Sequence, residues 1–391
     1  MRTQHHPLIS ELMAASSGPC MSLYLPAHRT QPERRDDPTR YRALVRQLAV
    51  SLERTYSPAD VESLLLPFRN IEHDESFWNA RREGIALFAA PGVHIAQHLD
   101  RPVPELAVVA NSFHLKPLLR ILQTMERYHV LALTKERISF YVGDRDGLSP
   151  VELHPDVPAT LEQALGMKET HRETTIASSG GAERMHGHRT AAEDHELDTE
   201  RFFRAVDRAI EHHYSAKDGL PVILAGLSDQ ISMFQRLRKN PNILLEGVTV
   251  HPEGVSLADL TERTWKLMKP YIDAATKQQV DAYHNAAAHG KGLSAPADVA
   301  TAAAEGRVDT LFVESGRILP GIVDATTGAI TFDSNDETDV DDILDDVAEM
   351  VLRAKGRVLV LDAEHIPAGT GRAAILRDDT GSIPVLVNNF S

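Results

Sequence analysis

The 391-residue chain holds one cysteine, Cys20, and only 5% of it is aromatic. A single thiol closes no internal disulfide, which excludes a disulfide-stapled secreted scaffold and leads us to expect a reducing compartment, the cytoplasm. The polar opening MRTQHHPLIS lacks the charged-then-apolar order of a signal peptide. Apolar runs such as 223–227 stop within a strand length, well short of the ~20 residues that span a bilayer, so no membrane role is expected. Enzyme signatures are missing too: there is no GxxxxGK[ST] phosphate loop, no GxSxG elbow, no HExxH pair, and no partner sequence that would make Cys20 a nucleophile. Positive charge is in deficit, with 41 Lys and Arg against 56 Asp and Glu, a net charge of -15. A chain of this balance does not coat phosphate over its whole surface.

What is present is unevenly placed. Lys and Arg balance Asp and Glu over 1–126, whereas 256–391 carries 12 basic residues against 22 acidic ones. Much of that acid lies in 333–349, where Asp336, Glu337, Asp339, Asp341, Asp342, Asp345 and Asp346 approach a helix. Acid there favours the helix N-terminal dipole, and the Gly and Glu of a calcium loop are missing. The densest basic cluster is Arg29, Arg34, Arg35, Arg40, Arg42 and Arg46, interrupted by Asp36 and Asp37. Guanidinium forks suit phosphate, which makes Arg29, Arg34, Arg35 and Arg40 RNA-phosphate candidates. A solvated loop with internal ion pairs is the other reading.

The patterning predicts a mixed α/β protein in more than one domain, since the chain is too long for one typical core. A strand at 21–26, a helix at 41–56, buried strands at 84–90 and 106–110, and a helix opened by Pro117 make a first α/β unit. The pattern restarts at Tyr128 with a hairpin, 129–133 and 138–142. The polar stretch 168–197, with few large apolar residues, reads as a long mobile loop. Helix 198–213, strand 221–227, helix 229–238 and strand 244–250 then alternate as in a mostly parallel sheet. The run 256–288, interrupted only by Pro270, suits a long connecting helix with a kink. A last α/β/α unit follows: helix 297–305, strand 310–313, a hairpin over 322–332, helix 340–354, and strands 358–361 and 373–376. Three domains are expected: 1–126, 127–290 and 291–391.

Several stretches, in order along nearly the whole chain, resemble the bacterial archaeo-eukaryotic release-factor family, relatives of the eukaryotic class-1 release factor and Pelota. They are PCMSLYLPAHR (19–29), FHLKPLLRIL (113–122), RMHGH (184–188), PVILAGL (221–227), EGRVDTLFV (305–313) and GTGRAAILR (369–377). The resemblance implies an N-terminal α/β domain, a central ribonuclease-H-like domain and a C-terminal domain like the kink-turn-binding ribosomal proteins. It also implies action at the ribosomal A site, in release, rescue or hibernation. The partners implied are ribosomal RNA, tRNA and a translational GTPase, and no cofactor is expected.

Release factors of this kind place a Gly-Gly-Gln tip at the peptidyl-transferase centre, where the third residue positions a water. The matching loop here reads Gly180-Gly181-Ala182, with Arg184, His186 and His188 beside it. A methyl group at Ala182 cannot orient water, so binding without hydrolysis is expected; the alternative is a plain flexible Ser-Gly-Gly linker. His186, His188, Glu193, Asp194 and His195 form a tract that would suit a metal-dependent hydrolase or nuclease, although the spacing matches no established metal signature. His-x-His in a polar loop also fits exposed or RNA-stacking side chains. A ribonuclease-H-like fold does not by itself confer nuclease activity, and the strands of 128–142 and 221–227 carry no converging carboxylates.

Overall fold

The computed structural model describes residues 6–14, 18–28, 33–80, 82–99, 101–123, 126–145, 147–166, 191–333 and 341–377. The protein is mixed α/β, as the pattern implied. Its described residues form two compact units, one drawn from Met1–Gln123 and Thr276–Val385, the other from Thr124–Ala275.

The first segment runs α1 (Pro7–Ala14), β1 (Cys20–Pro26), α2 (Asp37–Glu53), α3 (Pro58–Glu72), α4 (Glu75–Asn79), β2 (Gly84–Ala90), β3 (Val93–Leu99), β4 (Leu106–Ala110) and α5 (Lys116–Leu122). The strands form an antiparallel sheet of order β3-β2-β1-β4. Side chains alternate across it with period two. Met21, Leu23, Leu25, Ile85 and Leu87 face Tyr41, Leu44, Leu48, Leu65 and Phe68 of α2 and α3. Cys20, Tyr24, Ala86 and Phe88 join a second core on the other face. Both faces are therefore covered, and each large side chain buried this way stabilises by about 1.5–3 kcal/mol. Helix α2 starts four residues before the predicted 41, because Pro38 sits favourably in its first turn. Strand β3 and helix α3 were not expected. VHIAQHL is a largely exposed edge strand with little apolar signal, and α3 carries Pro67 inside it.

The second unit contains β5 (Tyr128–Leu133), β6 (Ile138–Gly143), β7 (Leu148–Pro150), α6 (Leu161–Leu165), α7 (Ala191–Ile210), a π-turn (Glu211–Ser215), α8 (Ala216–Asp218), β8 (Val222–Gly226), α9 (Ser228–Leu237) and β9 (Ile243–Thr249). It also contains the first part of α10 (Leu257–Ala288), the predicted long helix, along which the chain passes to the other unit. The sheet order is β7-β6-β5-β8-β9, with β5, β8 and β9 parallel. Phe202, Phe203, Val206 and Ile210 of α7 and Phe234 of α9 pack on one face. Leu260, Met268 and Ile272 of α10 pack on the other. The predicted start of α7 at 198 is corrected: the helix begins at Ala191, since Ala, Glu and Leu in AAEDHEL are good helix formers. Residues 168–190 of the predicted loop lie outside the described residues.

The last segment adds β10 (Gly292–Leu293), α11 (Pro296–Ala304), β11 (Val308–Glu314), β12 (Gly321–Val323), β13 (Ile330–Phe332), α12 (Ile343–Arg353), β14 (Arg357–Leu361) and β15 (Arg372–Leu376). Its sheet has the order β10-β15-β11-β14, and β12-β13 is the predicted hairpin.

FHLKPLLRIL is the seam that joins this segment to the first one. Phe113, Leu115, Leu118 and Leu119 share a core with Val313, Val347, Val351 and Val360. The Leu115 and Lys116 amides donate to the Asp345 carboxylate at 2.6–3.0 Å, and Lys116 Nζ meets Asp342 at 2.6 Å. The Gln123 amide donates to the Val360 carbonyl (2.7 Å) and accepts the Val360 N–H (3.1 Å), satisfying the β14 edge as a neighbouring strand would. The acidic approach to α12 thus does more than meet its own helix dipole. Asp342 caps α12 through the Leu344 amide, while Asp345 serves the start of α5. Burial, then the charge of Asp342, push the Asp345 carboxyl up to about 8. Burial pulls His114, beside it, down to about 4.

Candidate functional cleft

In open α/β sheets, ligands bind in the crevice beyond the carboxyl ends of the parallel strands. The second unit has a cleft of about 430 Å³ at that place. Its walls follow from the connections: Thr134-Lys135-Glu136-Arg137 turns between β5 and β6, Leu227 and Gln230 open α9 after β8, and His251-Pro252-Glu253 follow β9. Thr160 and Glu162 at the start of α6 and His195 of α7 complete the lining.

The turn is closed by the Thr134 amide donating to the Arg137 carbonyl (2.9 Å), and the Thr134 hydroxyl accepts the Glu136 and Arg137 amides. Gln230 is buried and its Oε1 accepts the Leu227 amide at 3.2 Å, which fixes the start of α9. Gly226 at the end of β8 has no room for a side chain, since a Cβ there would lie 2.8 Å from the Leu133 carbonyl oxygen. His195 Nε2 stands 3.6 Å from Glu136 Oε1 and Lys135 Nζ 3.6 Å from Asp229.

Charge of both signs and several donors line the cleft, which suits a polar ligand. The Thr160 hydroxyl accepts the Gln163 amide at the start of α6, and the Thr134 hydroxyl is committed to its turn. Among the described lining residues, then, no hydroxyl is set beside a base as a nucleophile would be.

Of the residues singled out in the sequence, Gly180, Gly181, Ala182, Arg184, His186 and His188 lie outside the described residues, as does Arg29. His195 lines the cleft. Arg34 donates to the Trp78 carbonyl, and Arg35 is exposed. Arg40 is held by Glu105 (2.7 Å), Asp37 (3.2 Å) and the Pro26 carbonyl (3.0 Å). The basic cluster therefore carries internal ion pairs at Arg40 and leaves Arg35 open to solvent. Glu136, Arg137, Gln230, His251 and Glu253 were not singled out; their position just after strand ends was the available signal.

The comparisons with known proteins agree with the motifs in one segment of the chain, which resembles the archaeo-eukaryotic release factors. More particularly, residues 127–307 match the model of Bacterial archaeo-eukaryotic release factor family 3. That segment carries the whole cleft. Comparison with curated proteins gives no match.

Among solved structures, archaeal translation termination factor aRF1 is 16% identical, with 97% of this chain and 99% of that chain covered and a TM-score of 0.27. Ribosome-bound archaeal Pelota with ABCE1 is 13% identical over 73% of this chain and 72% of that chain, with a TM-score of 0.39. S. cerevisiae Dom34, a translation termination-like factor interacting with Hbs1, is 12% identical over 76% of each chain, with a TM-score of 0.38. At such TM-scores these likenesses support no inference about function. The metal-dependent hydrolase alternative finds no support among the comparisons. No described helix is long and apolar enough to cross a membrane.

Proposed function

We propose that the protein is a ribosome-associated translation factor of the release-factor type, acting by binding at the A site and not by hydrolysis. The match of residues 127–307 to a bacterial release-factor family carries this reading. The polar cleft in that segment supports it, because His195 on its wall belongs to the helix into which the Gly180-Gly181-Ala182 stretch leads. In this reading 1–126, 127–290 and 291–391 are three functional parts. The central one carries 168–197 toward the tRNA acceptor end, Arg35 contacts ribosomal RNA phosphate, and 291–391 faces a translational GTPase. The setting is cytoplasmic, and the role is rescue, termination-like release or hibernation.

Co-sedimentation of the full chain with purified ribosomes tests the reading. The protein is expected in the ribosomal pellet at low salt and to leave it as salt rises, because phosphate contacts release counterions. A chain that stays in the supernatant at low salt overturns the proposal.

A further inference from the structure

In the second unit, and not among the residues that line the cleft, His154, Asp156 and His213 bring three ligating atoms within 4.8 Å of one another. Asp156 Oδ2 lies 3.6 Å from His154 Nδ1 and 3.6 Å from His213 Nε2. A tetrahedral zinc with ligands about 2.0–2.1 Å away needs them about 3.4 Å apart. The carboxylate is thus within a few tenths of an ångström of the spacing a shared ion imposes.

Two features hold the group in place. The loop of His154 and Asp156 is pinned by Val157, which is buried in the core, and by Tyr214, whose hydroxyl accepts the His154 amide at 2.9 Å and donates to the Glu152 carbonyl at 3.2 Å. His213 and Tyr214 are consecutive residues of the π-turn that interrupts the end of α7. Such an inserted turn is rare in helices and recurs at functional sites, because it re-aims the side chains that follow.

The chemistry of the donors agrees. The Asp156 amide donates to His154 Nδ1 at 3.3 Å, a long bond that an ion bound at that nitrogen would replace. The rings of His154 and His213 stack with centroids 3.9 Å apart and 18° between planes, and the Asp156 carboxylate lies beside a nitrogen of each; because an ion sits in the plane of each imidazole that binds it, uptake requires one ring to turn out of the stack.

We infer that His154, Asp156 and His213 form a binding site for a borderline divalent transition metal, of which zinc is the type, that ties the 152–157 loop to the π-turn. Two imidazoles and one carboxylate prefer such an ion to the hard cations magnesium and calcium, which take oxygen ligands. None of the three ligands belongs to the His186/His188 tract, and the site does not depend on the ribosomal reading.

Thermal unfolding and calorimetric titration of the full chain test it, with zinc chloride as the probe. An ion that binds only the folded state raises the midpoint in proportion to the logarithm of its excess over Kd. We expect one zinc per chain and a rise in midpoint, both lost in His154→Ala and in His213→Ala. Both should be retained in His186→Ala/His188→Ala, and circular dichroism reports that each variant is folded. If a variant fails to fold, Asp156→Asn, an exposed change, is expected to weaken zinc uptake at least tenfold. Equal response to magnesium, zinc uptake unchanged by all three ligand substitutions, or uptake abolished by the loop double variant instead would each overturn the site and leave an exposed ion pair only.

Discussion

The Lys116 ammonium and the Asp342 carboxylate meet at 2.6 Å, with 2% and 1% of their side chains exposed. The two residues are 226 positions apart. The first lies at the start of α5, and the second caps α12. A pair so far from water is costly to halve, because the remaining charge has no solvent to turn to.

Lys116→Met is accordingly expected to destabilise the first unit by about 3 to 5 kcal/mol. Urea unfolding followed by circular dichroism measures this. Lys116→Met combined with Asp342→Asn should cost less than the two single changes added together, since neither charge is then stranded. Strict additivity would show that the pair is not coupled.

Stability should also depend on pH through Asp345. Its carboxyl is raised in the folded protein from 3.8 to about 8, so the folded state holds the proton more tightly than the unfolded chain does. Its contribution is full below 3.8 and is lost as pH rises through about 8. His114, lowered from 6.5 to about 4, works the other way: its contribution is present above 6.5 and lost as pH falls toward 4. Asp345→Asn is therefore expected to remove the loss of stability that accompanies a rise in pH from 3.8 to about 8, and to leave in place the loss that His114 brings as pH falls from 6.5 toward 4. Urea midpoints measured across that range decide it, and a slope between 3.8 and about 8 identical to that of the natural chain would refute the assignment.

Arg35→Glu tests the proposed contact with ribosomal RNA. The side chain is exposed, so the substitution should leave the fold intact and weaken ribosome binding. Without its phosphate partner, the slope of log affinity against log salt should fall by about one. An unchanged slope returns the Arg cluster to a solvated surface. Arg40 is a poor site for this test because its change would also break the pairs with Glu105 and Asp37.

The natural chain is expected to release no peptide from ribosomes carrying labelled peptidyl-tRNA, with Ala182→Gln assayed beside it. Removing a group that positions or stabilises the reacting atoms typically costs about 100- to 1000-fold in rate. Release by the natural chain at the rate of a true release factor would sink the non-catalytic reading and direct attention to Glu183 or His186.

Local patterning determined much of this protein without its tertiary structure. GIALFAA forms β2, PVILAGL contains β8 and EGRVDTLFV supplies most of β11, and apart from Thr310 their covered strand positions are apolar. The long amphipathic run 256–288 is one helix for the same reason. Burial imposes a short period on neighbouring residues, and a short period can be read from the chain.

The seam, the cleft and the His154–Asp156–His213 group have no such period. Lys116 reads as a surface residue until Asp342 is brought to it, and β3 reads as loop because an edge strand half in water needs few apolar side chains. His154 and His213 are 59 positions apart and become neighbours only because the loop after β7 and the π-turn after α7 meet, where the Tyr214 hydroxyl bonds the His154 amide and the Glu152 carbonyl. Pairing energies of this kind depend on distance in space, which the order of residues does not encode locally, so only the folded chain decides them.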